Sequence, residues 1–316
     1  MSIYIENGVL HVDGAQDKLR QKGTEHPEFL DNYTLLDIET TGLSTWKDRI
    51  TELGAIKVRN NQIVDKYTNL VKYPKNNKVP AFTQKLNGIT EEKILTDGIP
   101  VQQAISEFRK FIGDDIIVGY NVNFDINFLY DVSKDYHLSP LSNNYVDVLR
   151  LARVFYPNKK NSLLSCMQRM GISESESHRG LQDSIDTKNV YDTFRQFFTP
   201  DLLKKAQSQM KNIDLTSSNL TPSQVLRNPL KNKNMVLSGH LHLDITDAQR
   251  MIDNLGGQVQ ENVSEKTNML IMGDHDFFRH DNEDLETARS LIKNGAKIRR
   301  WSESFFLNSL DTWARS

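Results

Sequence analysis

Apolar and polar positions change period several times along this chain, and the changes predict its elements. Thr34 to Ile38 reads as a strand, and Ile50 to Val58 and Gln62 to Leu70 read as a hairpin turning at Asn60-Asn61. Val101, Ala104, Ile105, Phe108 and Ile112 recur at helical spacing. Ile116 to Gly119 predicts a short buried strand, with a helix beginning near Phe124, and Tyr145 to Leu149 a fifth strand running into a helix. Further helices are expected from Ser162 to Met170, stopped by Gly171, and from Leu181 to Phe198. Strands first, then helix and strand in alternation, indicate an α/β fold with a mixed sheet and flanking helices. The stretch before about Asn32 is polar and reads as an irregular N-terminal extension.

Beyond Phe198 the periodicity lapses. Pro200, Pro222 and Pro229 interrupt a segment rich in Ser, Thr, Asn and Lys, which reads as a solvated linker. A second, smaller α/β pattern follows. Met235 to Gly239 predicts a strand, Ala248 to Leu255 a helix closed by Gly256-Gly257, and Gln258–Gln260 and Thr267–Met272 two more strands. Leu285 to Lys293 is a helix ending at Asn294-Gly295, followed by a strand from Lys297 and a last helix after Trp301. The expected division is an extension (1–29), a first domain (30–198), a linker (199–233) and a second domain (234–312).

Composition narrows the setting. At 316 residues the chain is long for one domain and comfortable for two. Met1 to Arg20 lacks the apolar stretch of a signal peptide, and no later run is long enough to span a membrane, so a cytoplasmic protein with no membrane partner is expected. The single cysteine, Cys166, excludes an intrachain disulfide and a cysteine-only zinc site, and its helical context suggests a packing residue. A formal net charge of −2 does not advertise a nucleic-acid binder. Bound cations can supply positive charge where a phosphate sits, so bulk charge decides nothing here.

The chemistry is concentrated in acids. Asp37 and Glu39 stand two apart at the end of the first strand, so both carboxylates point to one face. Such a pair is repelled and desolvated unless a cation joins it, and hard oxygen donors suit Mg²⁺ or Mn²⁺. This points to metal-dependent phosphoryl chemistry. Two more acidic motifs follow, Gly119-Tyr-Asn-Val-Asn-Phe-Asp125 and His178-Arg-Gly-Leu-Gln-Asp183. The five-residue gap argues against His178 and Asp183 sharing a helix face. It places His178 on a loop and Asp183 in the first turns of the next helix.

In this order the three motifs resemble the DEDDh family of 3′–5′ exonucleases, which includes the proofreading epsilon subunit of bacterial DNA polymerase III. The resemblance covers about residues 30 to 198 and implies the ribonuclease H-like fold. It implies two divalent ions, Mg²⁺ or Mn²⁺. Asp37 would bridge both, with Glu39 and Asp183 on the ion carrying the nucleophilic water and Asp125 supporting the other. His178 would be the general base. Asp186, one turn from Asp183, fits the family spacing less well and reads as a surface acid. Asn121 and Asn123 read as shaping the turn before Asp125. Thr40, Thr41, Gly42 and Leu43 would embrace the 3′-terminal nucleotide, with Asn87 as a further substrate contact. Phe124 reads equally as a nucleotide contact or a core residue. Asn87 stands where the family often has His, in Lys85-Leu-Asn-Gly-Ile-Thr90.

In the second domain Ser238-Gly-His, Leu255-Gly-Gly, Lys266 to Gly273 and Trp301 resemble a BRCT domain. That implies docking to a protein partner or a DNA end. Ser238 and Gly239 match the first part of the family's phosphate pocket, while the basic residue expected beside them is replaced by the acidic run from Asp284. The leading expectation is a 3′–5′ exonuclease releasing nucleoside monophosphates from DNA 3′ ends, single-stranded DNA favoured, in proofreading or repair. The alternatives are an RNA 3′-end exonuclease of the same mechanism and a non-catalytic BRCT adaptor.

Overall fold

The computed structural model describes residues 3–6, 9–14, 18–208, 210, 213–217, 229–277 and 282–315. Two compact units emerge. Lys22–Gln209 forms the larger one, and Met1–Gln21 together with Met210–Ser316 forms the other.

The larger unit is built on a six-stranded sheet in the order Ile99–Pro100, Gln62–Lys72, Ile50–Arg59, Tyr33–Thr40, Ile117–Gly119, Tyr145–Asp147. The Tyr33–Thr40 strand lies antiparallel to Ile50–Arg59 and parallel to Ile117–Gly119, so the sheet is mixed. The hairpin after Ile50–Arg59 turns where the sequence places it. Asn60 and Asn61 both adopt positive φ, 47° and 63°, as a two-residue turn requires.

Side-chain alternation along Tyr33–Thr40 decides everything that follows. Leu36 and Ile38 enter one core, with Ala104, Ile105 and Phe108 of the Val101–Ile112 helix and Ile126 and Leu129 of the Asn123–Asp135 helix. Tyr33 and Leu35 enter the opposite core, with Val190, Tyr191 and Phe194 of the Gly180–Phe197 helix. Asp37 and Glu39 continue the second face at the strand's end, toward the helix that carries Asp183.

Two expectations are corrected. The segment after Phe198 is not all linker. Pro200–Ser208 is a helix, with Ala206 buried beside Leu202 and Leu203 in the second core. Its brevity and polar face hid it from periodicity alone. Residues 218–228, which include Pro222, lie outside the described residues. The N-terminal stretch is not irregular either. Ile3–Glu6 and Val9–Val12 pair antiparallel, and Ile3–Glu6 also pairs with Ile213–Asp214. Strands this short carry almost no pattern of their own and are specified by what covers them.

In that smaller unit, a four-stranded parallel sheet runs in the order Gln258–Gln260, Asn234–Ser238, Met269–Met272, Arg299–Ser302. Glu283–Lys293 packs on one face through Leu285 and Ala288. Ile245–Asn254 and Glu303–Arg315 cover the other, where Ile3, Ile5, Leu10 and Val12 join the core against Met251, Ile252, Phe306 and Leu310. Trp301 is only partly buried and packs at the edge of this core, its ring 4.8 Å from Phe305. Among the described residues no helix is long and apolar enough to cross a membrane.

Candidate metal centre and active site

Three of the carboxylates meet. Oxygens of Asp37, Glu39 and Asp183 lie within 4.8 Å of one another. Asp183 enters from the first turn of the Gly180–Phe197 helix, and Ser177 Oγ donates to its Oδ1 at 3.0 Å. Asp125 arrives from the other helical layer, in the first turn of Asn123–Asp135, where the backbone N–H of Ile38 donates to its Oδ1 at 2.9 Å. That bond ties Asp125 to the residue between Asp37 and Glu39. Asp125 stands outside the tight set but close enough for its charge to act on Asp37.

His178 lies on the loop before the Asp183 helix, as its spacing predicts, with a positive φ of 51°. An imidazole nitrogen, a Glu176 carboxylate oxygen and an Asp183 oxygen form a second set within 4.8 Å. Glu176 was not singled out from sequence, because an acid in a polar serine loop gives no signal of its own.

The loop is anchored from below by Glu52, also missed from sequence. Glu52 is opposite Glu39 in strand register and 2% exposed. Its carboxylate accepts from Arg179 Nε and Nη2, at 3.0 and 2.5 Å, and from the Gly180 backbone N–H at 3.0 Å. One buried acid thus fixes the two residues that join His178 to the helix of Asp183. The approach is tight. A methyl on Gly54 would run into the Gly180 backbone, and one on Gly180 into the Asp37 carbonyl oxygen. The antiparallel register of Tyr33–Thr40 on Ile50–Arg59, which puts two acids face to face, is what marks Glu52, and it is visible only in the folded sheet.

The predicted substrate residues divide. Leu43 is 87% exposed, four residues beyond Glu39. Thr41 and Gly42 belong to a loop stapled by Asp48, which accepts from Thr41 Oγ1 at 3.1 Å and from Ser44 N at 3.0 Å, while Thr40 Oγ1 donates to the Gly42 carbonyl at 2.7 Å. Phe124 packs against Phe128 with the rings tilted by 53° and their centroids 4.9 Å apart. Asn87 is placed differently. It is buried, donates from Nδ2 to Glu39 Oε2 at 2.9 Å and accepts from Ile89 N at 3.0 Å, so it orients Glu39 from behind. Asn123 accepts from Lys22 at 2.8 Å, and Asn121 takes positive φ, 58°, at the turn. Asp186 is largely buried rather than on the surface, and accepts from Gln182 at 3.0 Å.

In the smaller unit Ser238 Oγ donates to Asp284 Oδ2 at 2.6 Å, and Gly239 rests over the Asp276 carboxylate. A phosphate brought to Ser238 and Gly239 would meet two acids, so their surroundings do not favour the phosphate contact expected of them.

Crowding shows in the proton affinities. Burial pushes Glu39 up to about 7, despite the hydrogen bond from Asn87. Burial, then the neighbouring Glu176, raises Asp183 to about 6, partly offset by Ser177. Asp37 is held well above the ordinary carboxylate range by burial and by Asp125, Asp183 and Glu39, and burial raises Asp125 as well. Arg179, the neighbouring cation, is committed to Glu52. Four crowded carboxylates with hard oxygen donors are what a divalent cation neutralises, and the donor set fits Mg²⁺ or Mn²⁺.

A pH dependence follows. Because Glu39 and Asp183 bind protons more tightly folded than unfolded, the metal-free protein holds more protons than its unfolded chain between about pH 4 and pH 7. Stability conferred by this cluster is therefore greatest below that window and is lost as pH rises through it. In EDTA the thermal midpoint of the larger unit is expected to fall from about pH 5 to about pH 7. A midpoint that climbs across this range would contradict the crowding.

Comparison with known proteins agrees with the geometry. Residues 34–191 match the family model described as exonuclease, and residues 225–310 match that of the BRCA1 C-terminus (BRCT) domain. The chain is similar to PolC-type DNA polymerase III of Clostridium perfringens, 32% identical over 197 residues, covering 58% of this chain and 13% of that protein. Against PolC-type DNA polymerase III of Bacillus subtilis it is 35% identical over 185 residues, 58% of this chain and 12% of that one. It thus spans only about an eighth of these relatives' length. Among solved structures, E. coli exonuclease I in complex with a dA16 oligonucleotide aligns at a TM-score of 0.48 and 17% identity, over 56% of this chain and 43% of that one. With a catalytic-type acid cluster on a mixed α/β sheet and a family match over half its length, the chain belongs to the exonuclease family and carries a C-terminal BRCT domain.

Proposed function

We propose that this protein is a 3′–5′ exonuclease that removes nucleoside monophosphates from single-stranded DNA 3′ ends. The observation that carries the proposal is the convergence of Asp37, Glu39 and Asp183, with Asp125 tied to Ile38 beside them and His178 at the rim. The similarity to polymerases named for DNA supports DNA over RNA as substrate, and the family's use of divalent metals supports a metal centre here.

Asp37, Glu39 and Asp183 would hold one divalent ion, and Asp37 with Asp125 a second. Bound there, such ions supply Lewis acidity, lowering the pKa of water and neutralising charge on the scissile phosphate. The chain's own part is positional and proton-handling. His178 takes the proton of the attacking water on an imidazole nitrogen. Glu52, through Arg179 and Gly180, keeps that imidazole and Asp183 at fixed separation. Leu43 offers an exposed apolar contact to the terminal base, and Asn87 holds the Glu39 carboxylate in one orientation.

The test uses 5′-labelled single-stranded DNA and matched RNA with Mg²⁺, Mn²⁺ or EDTA, beside Asp183→Ala. The expected result is a metal-dependent ladder shortening from the 3′ end of DNA, absent in the variant. Cleavage of RNA alone would transfer the reading to an RNA exonuclease. No cleavage of either polymer with any metal would end it and leave the BRCT domain as the seat of function.

A further inference from the structure

Between the Thr41–Arg49 loop and the outer half of the Asn123–Asp135 helix lies a cleft of about 460 Å³ that no step above uses. Its walls are aromatic. Tyr73 and Tyr136 meet edge-on with centroids 6.5 Å apart, Trp46 stands at the lip, 68% exposed, and Phe128 lies at the base. The Arg49 guanidinium sits 4.7 Å from the Tyr73 ring centroid, and Lys47 lies beside it on the loop. Of the two acids in the lining, Asp48 is turned to Thr41 and the Ser44 backbone, which leaves Asp135 against two cations.

The lining of the cleft is tied to the strand and helix that carry the acids. Arg49 is bonded through its backbone to Thr41, two residues beyond Glu39. Phe128 touches Phe124, the neighbour of Asp125. Val132, further along the lining, is about 10 Å up the helix from Asp125. A strand whose terminal nucleotide lay at the carboxylates could therefore continue into the cleft.

Resting on the exonuclease reading above, we infer that this cleft is a nucleobase subsite. It takes a base on the 5′ side of the nucleotide being removed, stacked between Trp46 and the Tyr73–Tyr136 wall, with Lys47 and Arg49 on the flanking phosphate. Stacking suits a processing enzyme because every base has a π-face, so the contact tolerates any sequence, and Arg adds a cation–π contribution. A base held this way must be unpaired, so the cleft selects single-stranded or frayed ends over duplex.

The test separates subsite from catalysis. A short labelled oligothymidylate is bound in Mg²⁺ to the full chain carrying Asp183→Ala, with and without Trp46→Ala, Trp46→Phe or Arg49→Gln. Trp46→Ala is expected to weaken binding about tenfold, with Trp46→Phe restoring most of it. Arg49→Gln is expected to flatten the logarithmic salt dependence by about 0.7. With Asp183 intact, hydrolysis of the p-nitrophenyl ester of thymidine 5′-monophosphate, which has no upstream nucleotide, is expected to keep its kcat/KM in Trp46→Ala, while KM for the oligonucleotide rises. Unchanged oligonucleotide affinity in both Trp46→Ala and Arg49→Gln, or equal damage to ester and oligonucleotide, would overturn the subsite. Failure of the unsubstituted protein to cleave either compound would remove the exonuclease reading, while the affinity comparison would still decide the cleft.

Discussion

Replacing Asp37 with Asn is expected to abolish cleavage and, in the absence of metal, to make the protein more stable. Both effects have one origin. Asp37 is the carboxylate on which Asp125, Asp183 and Glu39 all act, and each raises its proton affinity. An amide of the same shape keeps the packing and removes the repulsion. The expected gain in EDTA at pH 7.5 is about 2–4 °C in Tm, the equivalent of roughly 1 kcal/mol in a domain of this size. Activity should fall by at least about 10³-fold, since the lost group would hold the ions that carry several kcal/mol of transition-state stabilisation. Mg²⁺ should reverse the order of stability. Ligand at about a hundred times its Kd stabilises a native protein by roughly 2.7 kcal/mol, and the variant should lose most of that increment. Calorimetry with and without Mg²⁺, beside a cleavage assay, checks all three. Equal midpoints in EDTA and equal responses to Mg²⁺ would mean that the cluster is not a cation site.

Deleting residues 1–14 is expected to unfold the C-terminal unit while sparing the exonuclease unit. Ile3, Ile5, Leu10 and Val12 are each under 5% exposed and lie in the core with Met251, Ile252, Phe306 and Leu310. Fully burying such a side chain is worth about 1.5–3 kcal/mol, an upper estimate because the unfolded chain already hides some of it. Four of them approach the roughly 5–15 kcal/mol that holds a domain together. Hydrogen exchange over residues 234–310 is expected to lose protection in the truncated chain, with cleavage per folded molecule little changed. Protection equal to that of the full chain would show that the BRCT sheet needs no cover from the N-terminus.

How much of this was legible depends on whether a residue's partner is local or distant. The Val101–Ile112 helix buries the five positions that its spacing picks out. Asp37 and Glu39 could be placed on one face because alternation in a strand is a local rule, and the loop position of His178 followed from its distance to Asp183. Glu52 and Asn87 were hidden for the opposite reason. Their partners are 127 or more and 48 residues away, and only the folded register reveals that one acid grips a loop and one amide steers another acid. The N-terminal strands failed likewise. Four residues of alternation mean little until Ile213–Asp214 and the helices beneath them are in place.

That last pairing has a temporal side. Tyr4 lies beside Asp214 and Ile5 beside Ile213, a contact spanning about two hundred residues of chain. On a ribosome, the first strand must wait until nearly everything up to Ile213 has been made, with Ile3 and Ile5 uncovered meanwhile. The exonuclease unit shortens the wait in space, if not in time. Once folded, it brings Phe29 and Phe198 into ring contact, 5.2 Å between centroids. The loop still to be closed then shrinks to two short tethers, lowering the entropic cost by on the order of 1–2 kcal/mol. The nuclease unit is therefore expected to fold before Ile3–Glu6 pairs with Ile213–Asp214, an order that pulsed hydrogen exchange during refolding would check.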